Sequence, residues 1–496
     1  MARVQPPRCG TGVAGLDDIL HGGLIANRLY LLDGNPGAGK TTLALQFLLE
    51  GLRQGERVMY VTLSESAEEL RDGADSHGWS LDDIRIVELH GDDDAAVGDE
   101  LTIFHPAEVE LSQTTRRVLE AVEAYQPTRM VFDSLSELRL LAQSSLRYRR
   151  QILALKQFFA GRDCTTLFLD DRTADGADLQ LQSIAHGVIA LEHTAPAYGR
   201  TLRQLRVVKF RGSDFRSGYH HLRLAHGGLR VFPRLMAAEH QDIVSGERIA
   251  SGVAALDRLM GGGIEPGSAT LLVGPAGSGK TTIALQYARA AVQRGEHAEV
   301  FTFDESRASM LQRLAAMGMS VTAGEGRREM SFEQIDPAEI TPGEFAWRVR
   351  HAVEHDHARV IVIDSLNGYM NAMVDGQYLT AQLHELLAYL NNRGVCTFII
   401  AAQAGMIAGH MGSPGDTSYL ADCVIYTRFF EHAGQIRKAI SVLKKRGGPH
   451  EDTIRELSFD ADGVHLSEPL RRLRGVLTGV PVEISQGATL DGVAAG

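Results

Sequence analysis

Cysteine is scarce in this 496-residue chain: Cys9, Cys164, Cys396 and Cys423 are its four, and no two form a Cys-x-x-Cys pair. That scatter excludes a disulfide framework and a thiolate metal knuckle. Cys164 and Cys396 open apolar, strand-like runs, so buried free thiols in a reducing compartment are expected. Excess positive charge is also lacking. The formal net charge of −12 argues against a protein that coats nucleic acid, although a local basic groove stays open. No run reaches the roughly 20 apolar residues of a membrane span. The opening Met-Ala-Arg-Val-Gln-Pro-Pro lacks the apolar stretch of a signal peptide, so a cytoplasmic location is expected. What remains, 44% hydrophobic and 23% charged, is ordinary globular composition in a chain long enough for more than one core.

The chain repeats itself once. Thr11-Gly12-Val13-Ala14-Gly15-Leu16-Asp17 returns as Ser251-Gly252-Val253-Ala254-Ala255-Leu256-Asp257, and Gly22-Gly23-Leu24 as Gly262-Gly263-Ile264. Gly34-Asn35-Pro36-Gly37-Ala38-Gly39-Lys40-Thr41-Thr42 returns as Gly274-Pro275-Ala276-Gly277-Ser278-Gly279-Lys280-Thr281-Thr282. All three blocks keep an offset of 240 residues, the mark of a duplicated domain. Later blocks correspond with small shifts: Val131-Phe132-Asp133-Ser134-Leu135 with Val362-Ile363-Asp364-Ser365-Leu366, and Lys209-Phe210-Arg211-Gly212 with Lys444-Lys445-Arg446-Gly447. The expected organisation is one domain over 1–235, a polar linker over 236–247, a second domain over 248–475 and a flexible tail over 476–496. Alternating strands and helices imply a mostly parallel central sheet in each domain, flanked by helices on both faces.

Each nine-residue loop satisfies G-x-x-x-x-G-K-[ST] between an apolar run that ends at glycine and a helical pattern. That context makes a phosphate-binding loop: glycines turn backbone N–H groups inward, and the helix start favours negative charge. Lys40 and Lys280 can reach the β- and γ-phosphates of ATP; Thr41 and Thr281 offer hydroxyls to Mg²⁺. Asp133 and Asp364 end apolar strands, where a carboxylate completes the Mg²⁺ shell; the plain alternative is a strand-end turn residue. Hydrolysis also needs a group that orients or deprotonates water. Thr302-Phe303-Asp304-Glu305-Ser306 offers Asp304 and Glu305, whereas Thr62-Leu63-Ser64-Glu65-Ser66 offers Glu65 alone. Solvated loop charges are the plainer and less favoured alternative for these acids. In the catalytic reading, the asymmetry predicts unequal hydrolysis rates.

Lys209/Arg211 and Lys444/Arg446 close β-rich segments late in each repeat. A basic pair followed by glycine, far from the loop, suits a contact in trans to a neighbour's γ-phosphate. An exposed basic strand is the alternative, weakened by the recurrence. His186 stands where the second repeat has Asp422, and a satisfied structural histidine is expected there.

The chain resembles the KaiC family of tandem RecA-like P-loop ATPases from Thr11-Gly12 to about Pro481. The resemblance is carried by the opening Gly-x-x-x-Leu-Asp with its Gly-Gly, the acidic segment 302–306, Lys-x-Arg-Gly, Ser418-Tyr419-Leu420-Ala421-Asp422 and Arg428-Phe429-Phe430-Glu431. It implies a two-tiered homohexamer with ATP between neighbours, slow hydrolysis and Ser/Thr autophosphorylation in the second tier. Clock members pair two glutamates where this chain has Ser64-Glu65 and Asp304-Glu305, and adjacent Ser and Thr phosphosites where it has Ser418-Tyr419. Ser413, Thr417 and Ser418 are the phosphoacceptor candidates, though short hydroxyls in loops usually form turns. Partners similar to KaiA and KaiB, or two-component signalling proteins, are the implied readers. A DNA-dependent recombinase or helicase and a nucleotide-gated scaffold with little hydrolysis are the rival readings.

Overall fold

A computed structural model describes residues 6–89, 106–172, 179–196, 199–239, 246–319, 330–372, 378–403 and 418–484. The chain divides into two compact units, Met1–Arg234 and Leu235–Gly496. Among the described residues the main sheet of the first has nine strands: β1 (Leu29–Gly34), β2 (Val58–Thr62), β3 (Arg85–Glu88), β4 (Arg129–Asp133), β5 (Thr165–Asp171), β6 (Gly187–Thr194), β7 (Leu202–Phe210), β8 (His220–Ala225) and β9 (Gly228–Phe232). Their spatial order is β9-β8-β7-β6-β1-β5-β4-β2-β3. Pairs from β6 to β3 are parallel, and β6 to β9 continue antiparallel.

The second unit repeats this plan with β10 (Ala269–Gly274), β11 (His297–Thr302), β12 (Met330–Gln334), β13 (Ala358–Asp364), β14 (Cys396–Ala402), β15 (Cys423–His432), β16 (Gln435–Lys445), β17 (Arg455–Asp460) and β18 (Gly463–Pro469). Its order, β18-β17-β16-β15-β10-β14-β13-β11-β12, is the same sequence of positions. The chain therefore contains two tandem RecA-like P-loop domains with mostly parallel sheets.

Side chains alternate across each sheet, as the pleat requires. Tyr30, Leu32, Tyr60, Val131 and Leu167 join Leu43, Phe47 and Leu48 of helix Lys40–Arg53 in one core. Leu29, Leu31, Met59, Val61 and Phe132 point the other way, against Leu138, Tyr148 and Ile152 of helices Leu135–Ala142 and Ser145–Phe159. Each fully buried Leu or Phe contributes about 1.5–3 kcal/mol, so both faces must be covered for the strands to read as continuous apolar runs. All four cysteines are buried and free. Among the described residues no helix is long and apolar enough to cross a membrane.

The ends of the second unit differ from the sequence reading. Leu235, the last residue expected of the first domain, and Ala237, in the expected linker, pack into the second unit's core, and the Ala237 N–H donates to Glu385 at 3.2 Å. The expected tail begins too early at 476. Val476 is buried against Phe430 and Ala439, and Val482–Glu483 pairs with Leu473–Arg474. Leu235-Met236-Ala237-Ala238 and Val476-Leu477 are apolar stretches too short to show a strand or helix period.

A buried histidine pair sets a pH limit on the first unit. Nδ1 of His220 accepts the Arg234 N–H at 2.9 Å, and Nε2 lies 3.0 Å from the Arg216 carbonyl, which fixes a neutral ring. Burial lowers His220 and His221 from 6.5 to about 4 each. The unfolded chain therefore binds more protons than the folded one below pH 6.5, and stability falls from there toward pH 4. The loss is on the order of 3 kcal/mol per ring. Chemical denaturation of wild type and His221→Phe at pH 7 and pH 4.5 should show a smaller acid loss in the variant.

Candidate active sites

Both phosphate loops start at the C-terminal end of the central parallel strand, the crevice where open α/β sheets bind ligands. Gly37 and Gly39 adopt φ of 77° and 107°, as do Gly277 and Gly279 at 77° and 100°. Only glycine takes these values at low cost, and they turn the loop backbone toward a phosphate. The Gly279 requirement is also steric, because an added Cβ would lie 2.3 Å from the Phe459 ring. Asn35, Pro36 and Ala38 fill the first loop, and Pro275, Ala276 and Ser278 the second. Ser278 donates to the Pro275 carbonyl at 2.7 Å and lies 2.7 Å from the Thr427 hydroxyl.

The two lysines are buried but differently partnered. Lys280 donates to the Gly274 and Pro275 carbonyls at 2.8 and 2.7 Å. Burial lowers its ammonium to about 8, with Asp364 opposing the shift. Lys40 makes the matching bonds to Gly34 and Asn35 at 2.9 and 3.1 Å and adds an ion pair with Asp171 at 2.6 Å.

The strand-end aspartates stand beside the loops. The Thr281 hydroxyl donates to Asp364 at 2.7 Å. In the first unit, the Tyr60 hydroxyl donates to Asp133, and Thr41 lies near enough to favour its charged form. Burial raises both carboxyls above the usual aspartate value. Thr42 and Thr282 follow in the first helical turns, the former lining a cleft of about 340 Å³ with Thr41, Leu45, Glu65 and Glu69.

The acidic segments are built by one device. The hydroxyl of Thr62, at the end of β2, donates to the Glu65 carbonyl at 2.7 Å and accepts its N–H at 3.1 Å; Thr302 treats Glu305 likewise at 2.9 and 3.2 Å. Ser66 and Ser306 then cap the following helices. Side-chain surroundings diverge. Glu305 pairs with Arg313 and accepts from Ser309 at 2.6 Å, and Asp304 accepts from Ser365 at 2.6 Å. Glu65 has no ion pair among the described residues; burial, then Asp133, Glu69 and Asp171, raise its carboxyl. The first site, which looked poorer by carboxylate count, thus holds a glutamate whose carboxyl is raised and unpaired among the described residues.

A family model for the KaiC ATPase matches residues 9–236 and 249–471. The chain belongs to the KaiC family. It is 26% identical over 485 residues to the circadian clock protein KaiC3 of Synechocystis sp., covering 96% of this chain and 95% of that one. It is 24% identical to the circadian clock oscillator protein KaiC of Acaryochloris marina (97% and 93% covered) and 25% identical to that of Synechococcus elongatus (96% and 92%). This KaiC-family chain is accordingly an ATPase, one that uses ATP.

The basic pairs sit at the opposite edge of each sheet from the loops. Lys209 pairs with Val188, and Phe210 with Gly187, which neighbours Tyr30 rather than Gly34. That is roughly 10–16 Å from the loop end of the strand. Lys209 and Arg211 donate to the Ser183 carbonyl at 3.3 and 3.2 Å. Lys444 donates to the Ala421 carbonyl at 2.8 Å, and Arg446 reaches the Tyr419 carbonyl at 3.1 Å and Asp422 at 3.4 Å. None of the four is directed at the loop of its own unit. His186 and Asp422 do one job: each accepts the first N–H of the central strand, from Leu29 at 3.3 Å and Ala269 at 3.0 Å. Ser418 opens a 3-10 turn, Ser418–Leu420, while Ser413 and Thr417 lie outside the described residues.

Sequence reasoning missed Asp171 and Arg313. The first had a signal: Asp170-Asp171 closes the run Thr165–Leu169 as Asp133 closes its own. Arg313 had none, being one helical arginine among several.

Proposed function

We propose that both units hydrolyse Mg²⁺·ATP slowly, in a cytoplasmic homohexamer that serves timing or signalling regulation. The observation that supports this most is the constellation repeated in each unit: a buried loop lysine, a strand-end aspartate held by a hydroxyl beside the loop, and a glutamate held by a strand-end threonine. The donor sets fit Mg²⁺, because hydroxyl and carboxylate oxygens meet beside each loop lysine, and Mg²⁺ takes few protein ligands alongside phosphates. Thr41 with Asp133, and Thr281 with Asp364, would hold the ion, which neutralises phosphate charge when bound. Lys40 and Lys280 bind and orient the β- and γ-phosphates. Glu65 and Glu305, with Asp304, orient the attacking water and take its proton. Lys209 and Arg211, or Lys444 and Arg446, stabilise the charge developing on a neighbour's γ-phosphate.

Autophosphorylation in the second domain belongs to this reading, with Ser413, Thr417 or Ser418 as acceptor. So do readers similar to KaiA and KaiB or to two-component proteins, since the matched relatives are named as clock proteins. The test is mass by light scattering with and without Mg²⁺ and ATP. A nucleotide-dependent shift to about six subunits is expected, and Lys280→Ala or Lys40→Ala should weaken it. A monomer under every condition would defeat the ring and the trans role of the basic pairs.

A further inference from the structure

The two sites differ most at one place that the duplication itself makes visible. In the parallel register, Gly34 at the start of the first loop lies beside Asp171, and Gly274 lies beside Ala402. One step earlier, Asp33 faces Asp170, whereas Val273 faces Ala401. The first site thus carries acids where the second carries small apolar residues. The surrounding cations are already taken: Arg172 pairs with Asp33 and Glu192, both at 2.9 Å, and Arg139 with Asp170 at 2.6 Å. Asp171 is left to Lys40, at 2.6 Å, with the Ser136 hydroxyl at 3.3 Å on its other oxygen. Among the described residues Lys280 has no ion pair.

We propose that Asp171 is a specificity-determining residue of the first site: it competes with the β- and γ-phosphates for Lys40, and so makes that site bind ATP more weakly, and with greater dependence on Mg²⁺, than the second. This rests on the reading that both loops bind Mg²⁺·ATP. A triphosphate takes Lys40 only by breaking its ion pair. The released Asp171 carboxylate then stays near Asp133 and Glu65, whose carboxyls it already raises. Three acids beside a polyanion repel it, and Mg²⁺ is what offsets that repulsion. In the second site the lysine gives up only carbonyl bonds, and Arg313 lies against Glu305.

The experiment is calorimetric titration of ATP into full-length Lys280→Ala, with and without Asp171→Asn, in excess Mg²⁺ and in EDTA. Asparagine keeps the shape and the Ser136 contact but removes the charge. Expected is about tenfold tighter Mg²⁺·ATP binding in Asp171→Asn, with a larger gain in EDTA, on the scale of one partly screened charge. The reciprocal Ala402→Asp in a Lys40→Ala chain should weaken the second site by a similar factor. Unchanged or weaker binding in a folded Asp171→Asn chain, checked by its melting curve, overturns the proposal. If Lys280→Ala binds no ATP even with Mg²⁺, the first loop is not an ATP site, and the underlying reading falls with it.

Discussion

Glu65→Gln is expected to cut ATP hydrolysis at the first site by about 10²–10⁴-fold while leaving ATP binding within a few fold. The carboxylate lines the cleft with Thr41 and Thr42, its backbone is fixed by Thr62, and no cation neutralises it among the described residues. Burial and three nearby acids raise its carboxyl, which makes its conjugate base a stronger proton acceptor than an exposed glutamate. The sign of the pH effect follows. The base must be deprotonated, so first-site turnover falls on acidification at a higher pH than an ordinary glutamate would set, and the glutamine variant loses that limb. Phosphate release measured in a Lys280→Ala background isolates the site. Glu305→Gln in a Lys40→Ala background should cost less, since Glu305 is tied to Arg313 and Ser309. Equal losses at the two sites would show that these contacts do not distinguish the glutamates.

Arg129→Ala is expected to destabilise the first unit by about 3 kcal/mol, near the low end for breaking a buried pair because Glu56 is partly exposed. The guanidinium is fully buried at the start of β4. It forks onto Glu56 with two bonds of 2.8 Å and donates to the Gly10 and Phe47 carbonyls at 2.7 and 3.0 Å. It passes Gly51 so closely that a Cβ there would sit 2.7 Å from its Cδ. Truncation strips donors from two carbonyls and a carboxylate at once. For a domain of this size the melting transition should drop by roughly 6–12 °C. Arg129→Leu, which fills the volume, should also destabilise, because the same acceptors lose their partner. A melting point unchanged in both variants would mean that water replaces the network without loss.

Much of the fold could be read from the chain, because duplication displays each motif twice. The loop glycines, Asp133 and Asp364 stand in a strand-loop-helix context that leaves few alternatives. Arg129 could not be read in this way. An arginine that opens Met-Val-Phe-Asp looks like an exposed strand end, and its acceptors come from the distant residues 10, 47 and 56. The divergence of Glu65 and Glu305 was equally hidden, since Ser309 and Arg313 reach Glu305 across helical turns and Glu69 and Gly73 stand at their counterparts. Val476 escaped because Val476-Leu477, a short apolar pair between glycines, has no periodicity to report its partner.

The placement of loop and basic pair at opposite edges of each sheet gives every unit a direction. If the pair of one copy serves the loop of the next, the contact joins unlike surfaces and is heterologous. A two-fold dimer satisfies it only if loop and pair lie in one self-complementary patch, so that each copy serves the other. The alternatives are closure into a cycle, in which every loop is served, or an open filament with one unserved loop at its end. Of these two head-to-tail arrangements only the cycle treats all copies alike, so on that geometry the number of subunits is set by the angle each contact turns through rather than by how tightly it holds.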